Sequence, residues 1–143
     1  MGDDGVGIYV VRILKGKIPL RADVEFKELS LGGLRLVEEI LGYESVFIID
    51  SIASSGTVGR IREFTPQQFK GTQYVSSPHD TNFATALELY KKLEANEVPK
   101  TIRIFTLDIS PEFTFTEALS PPVQRAALEL AERIALEVEQ IRN

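Results

Sequence analysis

The chain has 143 residues, 43% hydrophobic and 26% charged, with a net charge of -5 and no Cys. That length and apolar share fit one domain (1–143) with one core, setting wholesale disorder aside, and no apolar run approaches the ~20 residues of a membrane span. Without Cys there is no disulfide, thiolate metal site or cysteine nucleophile, and the acidic balance, with basic residues scattered (Arg60 with Arg62, Lys91 with Lys92), argues against nucleic acid as a partner.

In chain order, the opening MGDDG shows no signal peptide, so the cytoplasm is the default compartment. Residues 4–16 put Val6, Tyr9, Val10, Ile13 and Leu14 on one helical face, with Pro19 beyond the end. Val24 and Phe26 alternate with polar neighbours as a short strand does. Residues 31–41 return to helical spacing through Leu34, Val37, Ile40 and Leu41, and Gly42 is placed as a C-terminal cap. Val46–Ile49 reads as a short strand covered on both faces and ending in Asp50, the habit of a parallel sheet. Val58–Phe64 has β character and precedes a Thr65-Pro66 turn. Coming soon after Asp50 with no helix between, it is the expected antiparallel strand. Phe83, Leu87, Tyr90 and Leu93 mark a helix over 81–95, and Thr101–Ile109 is a further apolar strand. Ser120 is a candidate cap for the last helix, with Pro121 and Pro122 in its first turn and a stripe of Val123, Ala127, Leu130, Ile134, Val138 and Ile141. The alternation predicts an α/β three-layer sandwich: a twisted, mostly parallel sheet with one antiparallel strand and helices on both faces. The strand that usually opens such a sheet is absent ahead of the first helix.

Functional groups of such sheets collect at the carboxyl ends of the strands. Three segments put polar residues there: Asp3-Asp4-Gly5, Asp50, and Ser76-Ser77-Pro78-His79-Asp80-Thr81-Asn82. Two carboxylates and one imidazole suit a divalent transition metal such as Ni, Zn, Mn or Fe. The same residues also fit ordinary duties. An Asp pair at a helix N-terminus serves the cap and macrodipole, Asp50 accepts hydrogen bonds from the following turn, and His79 and Asp80 cap the next helix. On the residues alone both readings stand. Since His79 is the single His, mechanisms needing two imidazoles are excluded. Ser54-Ser55-Gly56 lacks a G-x-S-x-G frame, and Gly2, Gly5 and Gly7 lack the strand and spacing of a dinucleotide loop.

Taken in order, MGDDGVGIYVV, VFIIDSIASSG, SSPHDTNFATAL and ALSPPVQRAALELAERI span nearly the whole chain. Together they resemble the maturation endopeptidases of [NiFe] hydrogenases. The resemblance implies a cytoplasmic endopeptidase that removes a short C-terminal extension from the hydrogenase large-subunit precursor after nickel insertion. It also implies that Asp4, Asp50 and His79 recognise that nickel. The metal belongs to the substrate, and no organic cofactor is implied. The nickel would then act both as checkpoint and as electrophile, polarising the scissile carbonyl or acidifying an attacking water. With no Cys and no base–nucleophile pair, a covalent acyl-enzyme is disfavoured. Asp3, Asp80, Thr81 and Asn82 are candidates for holding the ligands in place, and Gly5 for close backbone approach. Helix capping by Thr81 or Asn82 is the competing reading.

The family's opening acid loop follows a buried strand and a Gly-Asn turn, roughly a dozen residues in all, and neither is present here. The expectation is therefore a remodelled N-terminus or a homodimer through the N-terminal region, with Asp4 displaced and low protease activity. Two other functions fit part of the pattern. One is a receiver-like signalling domain with Asp50 as phosphoacceptor, although Asp108 stands where such a domain wants Lys. The other is a non-catalytic escort of the hydrogenase subunit.

Overall fold

The structure, a computed structural model, describes residues 6–18, 23–28, 33–53, 57–70, 78–110 and 120–141, with backbone alone at 33–34, 53, 69–70 and 78–82. Its elements are α1 (Val6–Lys17), α2 (Gly33–Ile40), β1 (Ser45–Ala53), β2 (Ile61–Phe64), α3 (Pro66–Lys70), α4 (Pro78–Leu93), a 3-10 turn (Ala95–Glu97), β3 (Thr101–Ile109) and α5 (Pro121–Gln140). The sheet runs β1-β3-β2, so the last strand in sequence lies in the middle. Strand directions follow from the hydrogen bonds at the ends. Glu44 O accepts from the N–H groups of Lys100 (3.0 Å) and Thr101 (3.2 Å), so β1 and β3 start together and run parallel. Gly59 N–H donates to Asp108 O (2.8 Å) and Asp108 N–H to Arg60 O (2.9 Å), so β2 begins where β3 ends. The strand after Asp50 is therefore the antiparallel one, as expected, within an α/β sheet flanked by helices. Among the described residues no strand precedes α1.

Residue chemistry explains why β3 is central. From Ile104 to Ile109 every residue is buried, so this is the strand covered on both faces. That role was expected of β1, but Val46–Ile49 are only half-buried because β1 is an edge strand among the described residues. Arg103 clamps the sheet crosswise. Its guanidinium donates to both oxygens of Glu63 on β2 (2.7 and 3.0 Å) and lies 5.3 Å from the ring centroids of both Phe47 on β1 and Phe105. The two rings meet edge to face at 6.0 Å.

The chain divides into two compact units. The first comprises Met1–Leu29, Ile49–Ile61 and Thr106–Asn143, and thus holds the carboxyl ends of β1 and β3. In it α1 packs on α5. Val6, Val10 and Leu14 repeat every four residues on the buried face of α1, and Val123, Ala126, Ala127, Leu130, Ala131 and Ile134 form that of α5. The second unit is Ser30–Ile48 with Arg62–Phe105, where α4 packs on α2 and α3. Gly42 ends α2 as predicted, at φ +89°, with its N–H donating to Glu97 O at 2.8 Å.

Several expectations are corrected. Residues 24–28 carry no regular structure. A strand exists only through ladder partners, and none of the three described strands lies beside Val24 and Phe26. That segment is tied to α1 instead, through Glu28, which accepts from Arg12 (3.2 Å) and Lys15 (3.3 Å). Thr65-Pro66 opens a helix rather than a plain turn. Gln68 N–H donates to Thr65 Oγ1 (3.1 Å) and Thr65 N–H to Gln68 Oε1 (2.9 Å), a reciprocal capping box with Pro at the first helical position. Ser120 occupies the N-cap position of α5 without a side-chain capping bond. At the ends of α4 and α5, Leu93 and Ile141 are exposed, because the final turns run past the surface the helices pack on. β2 is shorter than expected, residues 57–60 being a turn.

That turn carries strict backbone demands. Arg60 N–H donates to Thr57 O at 3.2 Å, and Gly59 has φ +91°. With Asp108 facing both Gly59 and Arg60, this is a β-bulge of the glycine type. A Cβ on Gly59 would also stand 2.8 Å from Pro122 O. Gly59→Ala is expected to lower unfolding free energy by about 2 kcal/mol or more, combining left-handed strain and the clash; an urea titration matching wild type would refute this. The two cationic partners, Arg12 first and then Lys15, hold the Glu28 carboxyl below its ordinary range. A depressed carboxylate stabilises the fold at neutral pH, and that contribution is lost as pH falls through the ordinary carboxylate range and below. Glu28→Gln should therefore lower the melting temperature slightly at pH 7 and not at acid pH. A constant gap across the titration would count against the pairing.

Candidate functional site

Asp50 is the sequence-predicted site residue whose side chain the structure describes. It does not end its strand: β1 runs three residues further, to Ala53, because the ladder to β3 continues past it. Asp50 is exposed, and one carboxylate oxygen accepts the N–H of Ser51 at 2.8 Å. A bond to its own following peptide turns the carboxylate toward the end of the strand and restricts its rotamers.

The backbone beside Asp50 is met closely by α1. A Cβ on Gly7 would lie 2.7 Å from the carbonyl oxygen of Ile49. Only glycine lets the helix come this near, and the neighbouring Val6 and Val10 are fully buried. The distance between the start of α1 and the Asp50 strand is thus set by a missing methyl group. The spacing of Gly2, Gly5 and Gly7 gives no sign of this packing role.

On β3, Thr106 and Asp108 are fully buried and stand among Ile104, Phe105, Leu107 and Ile109. They are the buried polar side chains of the described core. Sequence reasoning assigned neither a role. The available signal was two polar residues at alternate positions in the otherwise apolar second half of the strand, Ile104–Ile109, which places both on one face. The bulge at Gly59 and Arg60 fixes the backbone of Asp108 from both sides.

His79 belongs to the second unit, and its position corrects the sequence reading. α4 begins at Pro78, so His79 and Asp80 are in the first helical turn rather than in a loop before it. Thr81 and Asn82 consequently lie inside the helix, where they cannot be its N-cap. The side chains of 78–82 lie outside the described residues, as do Asp3, Asp4 and Gly5. Among the described residues no group of three His, Cys, Asp or Glu is arranged to hold a metal ion, and no helix is long and apolar enough to cross a membrane.

Residues 8–137 match the family Hydrogenase maturation protease. The chain belongs to that family. Solved structures share its fold. The hydrogenase maturating endopeptidase HybD from E. coli superposes with a TM-score of 0.77 at 20% identity, covering 98% of this chain and 87% of the other. The [NiFe] hydrogenase maturation protease HybD from Thermococcus kodakarensis gives 0.68 at 25% identity, over 96% and 90%. The maturation protease HycI from the same organism gives 0.66 at 23%, over 97% and 85%. No match was found among curated proteins.

The protein is thus a hydrolase, an endopeptidase of the hydrogenase maturation type that processes a hydrogenase precursor. Family membership sets aside the receiver-like and escort readings. Asp50 and His79 fall inside the matched residues, whereas Asp4 precedes them. Within the maturation protease, Gly7→Ala should remove about 1–3 kcal/mol of stability by overpacking, outweighing the gain of at most about 1 kcal/mol in helix propensity. The clash wins because a strand carbonyl cannot rotate away as a side chain can. A variant more stable than wild type in urea would show propensity dominating.

Proposed function

We propose that the maturation protease removes a short C-terminal extension from the large-subunit precursor of a [NiFe] hydrogenase, in the cytoplasm, once nickel is in place. Asp4, Asp50 and His79 recognise that nickel, which belongs to the substrate. The observation that carries the reading is Asp50 itself. It is an exposed, backbone-oriented carboxylate inside the family-matched residues, on the parallel strand pair whose carboxyl ends gather functional groups.

The chemistry of the donor set supports it. One imidazole with two carboxylates is a mixed nitrogen–oxygen set suited to a borderline transition metal. Recognition through the metal makes cleavage conditional on correct loading, since the precursor without nickel offers these residues no partner. A metal near the scissile bond can polarise its carbonyl or acidify a water, supplying the electrophile the chain lacks. With no Cys in the sequence, direct attack by water is favoured over an acyl-enzyme.

Purified enzyme supplied with nickel-loaded and nickel-free precursor should cleave the first alone, as followed by the mass of the large subunit. Asp50→Asn should reduce cleavage of loaded precursor to background without changing the melting temperature much. Equal cleavage of both precursors would overturn the checkpoint.

A further inference from the structure

The register of the parallel strands brings a buried residue of unassigned role next to Asp50. Glu44 O receives the N–H of Thr101, which sets Glu44 opposite Lys100. Phe47, Arg103 and Phe105 interact on one face, which agrees with Phe47 opposite Arg103. Carried along the ladder, this register sets Asp50 opposite Thr106 and Ile52 opposite Asp108. Alternation then puts Asp50, Ile52, Thr106 and Asp108 together on the other face. All four residues lie in the first unit.

We infer that the Thr106 hydroxyl is a positioning group for Asp50, donating to its carboxylate when substrate covers the site. This rests on the reading of Asp50 as a nickel-recognising residue. Thr106 is fully buried, and among the described residues its Oγ1 has no hydrogen-bond partner. A buried hydroxyl without a bond is costly, and Val has the same branched shape without that cost. The fold by itself would be served better by Val. In-register residues on adjacent strands have Cα atoms about 4.8 Å apart, so rotation about χ1 brings a Thr hydroxyl within hydrogen-bond reach of a neighbouring carboxylate. Ser51 N–H already holds one carboxylate oxygen of Asp50 at 2.8 Å. A second donor from β3 would fix the plane of the carboxylate, as supporting partners do for metal-binding carboxylates. Exclusion of water by a bound precursor strengthens this bond at the moment it is needed.

The test uses the full chain with nickel-loaded precursor, measuring kcat/KM and melting temperature for Thr106→Val, Thr106→Ser, Thr106→Ala and Asp50→Asn. Thr106→Val should melt at or above the wild-type temperature yet lose about 10–100-fold in kcat/KM. Thr106→Ser, which keeps the hydroxyl, should exceed Thr106→Ala by about tenfold, because both lose the methyl group and differ only in the donor. If Thr106→Val fails to fold, the Ser and Ala pair still decides. Thr106→Val cleaving like wild type, or Ser and Ala falling equally, would overturn the inference. An active Asp50→Asn would instead overturn the reading of Asp50. An inactive Asp50→Asn beside a fully active Thr106→Val would leave that reading standing and sink only the role of Thr106.

Discussion

The burial of β3, paired along both edges, is the constraint to which the other elements answer. Six consecutive residues, Ile104–Ile109, are withdrawn from water on both faces, and full burial of a large apolar side chain stabilises by about 1.5–3 kcal/mol. The Arg103–Glu63 pair is partly exposed, and pairs of that kind add about 0.2–1 kcal/mol. Arg103 therefore aligns β1 and β2 on β3 more than it holds them there. A strand this apolar must find partners for its backbone polar groups on both sides. It does so with a parallel strand from earlier in the chain and an antiparallel one entering at its far end.

Two close approaches then shape the carboxyl end of the sheet, and each depends on a glycine. Gly59 supplies the left-handed backbone for the bulge opposite Asp108 and leaves room for the Pro122 carbonyl. Gly7 lets α1 lie against Ile49, the residue before Asp50. Both cases exchange a side chain for backbone proximity, the one thing a larger residue cannot supply. In the maturation protease this end of β1 and β3 carries the exposed Asp50 and the buried Thr106 and Asp108. The unbonded Thr106 hydroxyl costs the core some stability, and proteins tend to accept that near the groups they use.

Much of this was legible in the chain. The apolar run 101–109 is the observed strand, the stripe through Leu130 and Ile134 is the buried face of α5, and Gly42 stands where a left-handed cap is required. Those signals are local: periodicity, capping chemistry and the conformational freedom of glycine act within a few residues. The four motifs, taken in order, led to the same family as the match over residues 8–137. One local signal went unread, the Thr65-Pro66-Gln67-Gln68 capping box that starts α3.

What sequence could not supply was whatever depends on a distant partner. Val24 and Phe26 alternate like a strand, yet pairing is a property of two segments, and no described strand lies beside them. β1 extends past Asp50 because β3 is there to receive its hydrogen bonds, and α4 starts at Pro78, ahead of its apolar stripe. The placement of Thr106 opposite Asp50 needs the register of two strands more than fifty residues apart in the chain. Periodicity and spacing thus gave the fold class, and the resemblance of four motifs in order gave the family. The partner of each strand, and with it the buried neighbours of the Asp50 carboxylate, came from packing, because backbone hydrogen bonds and side-chain burial are satisfied across the chain and not along it.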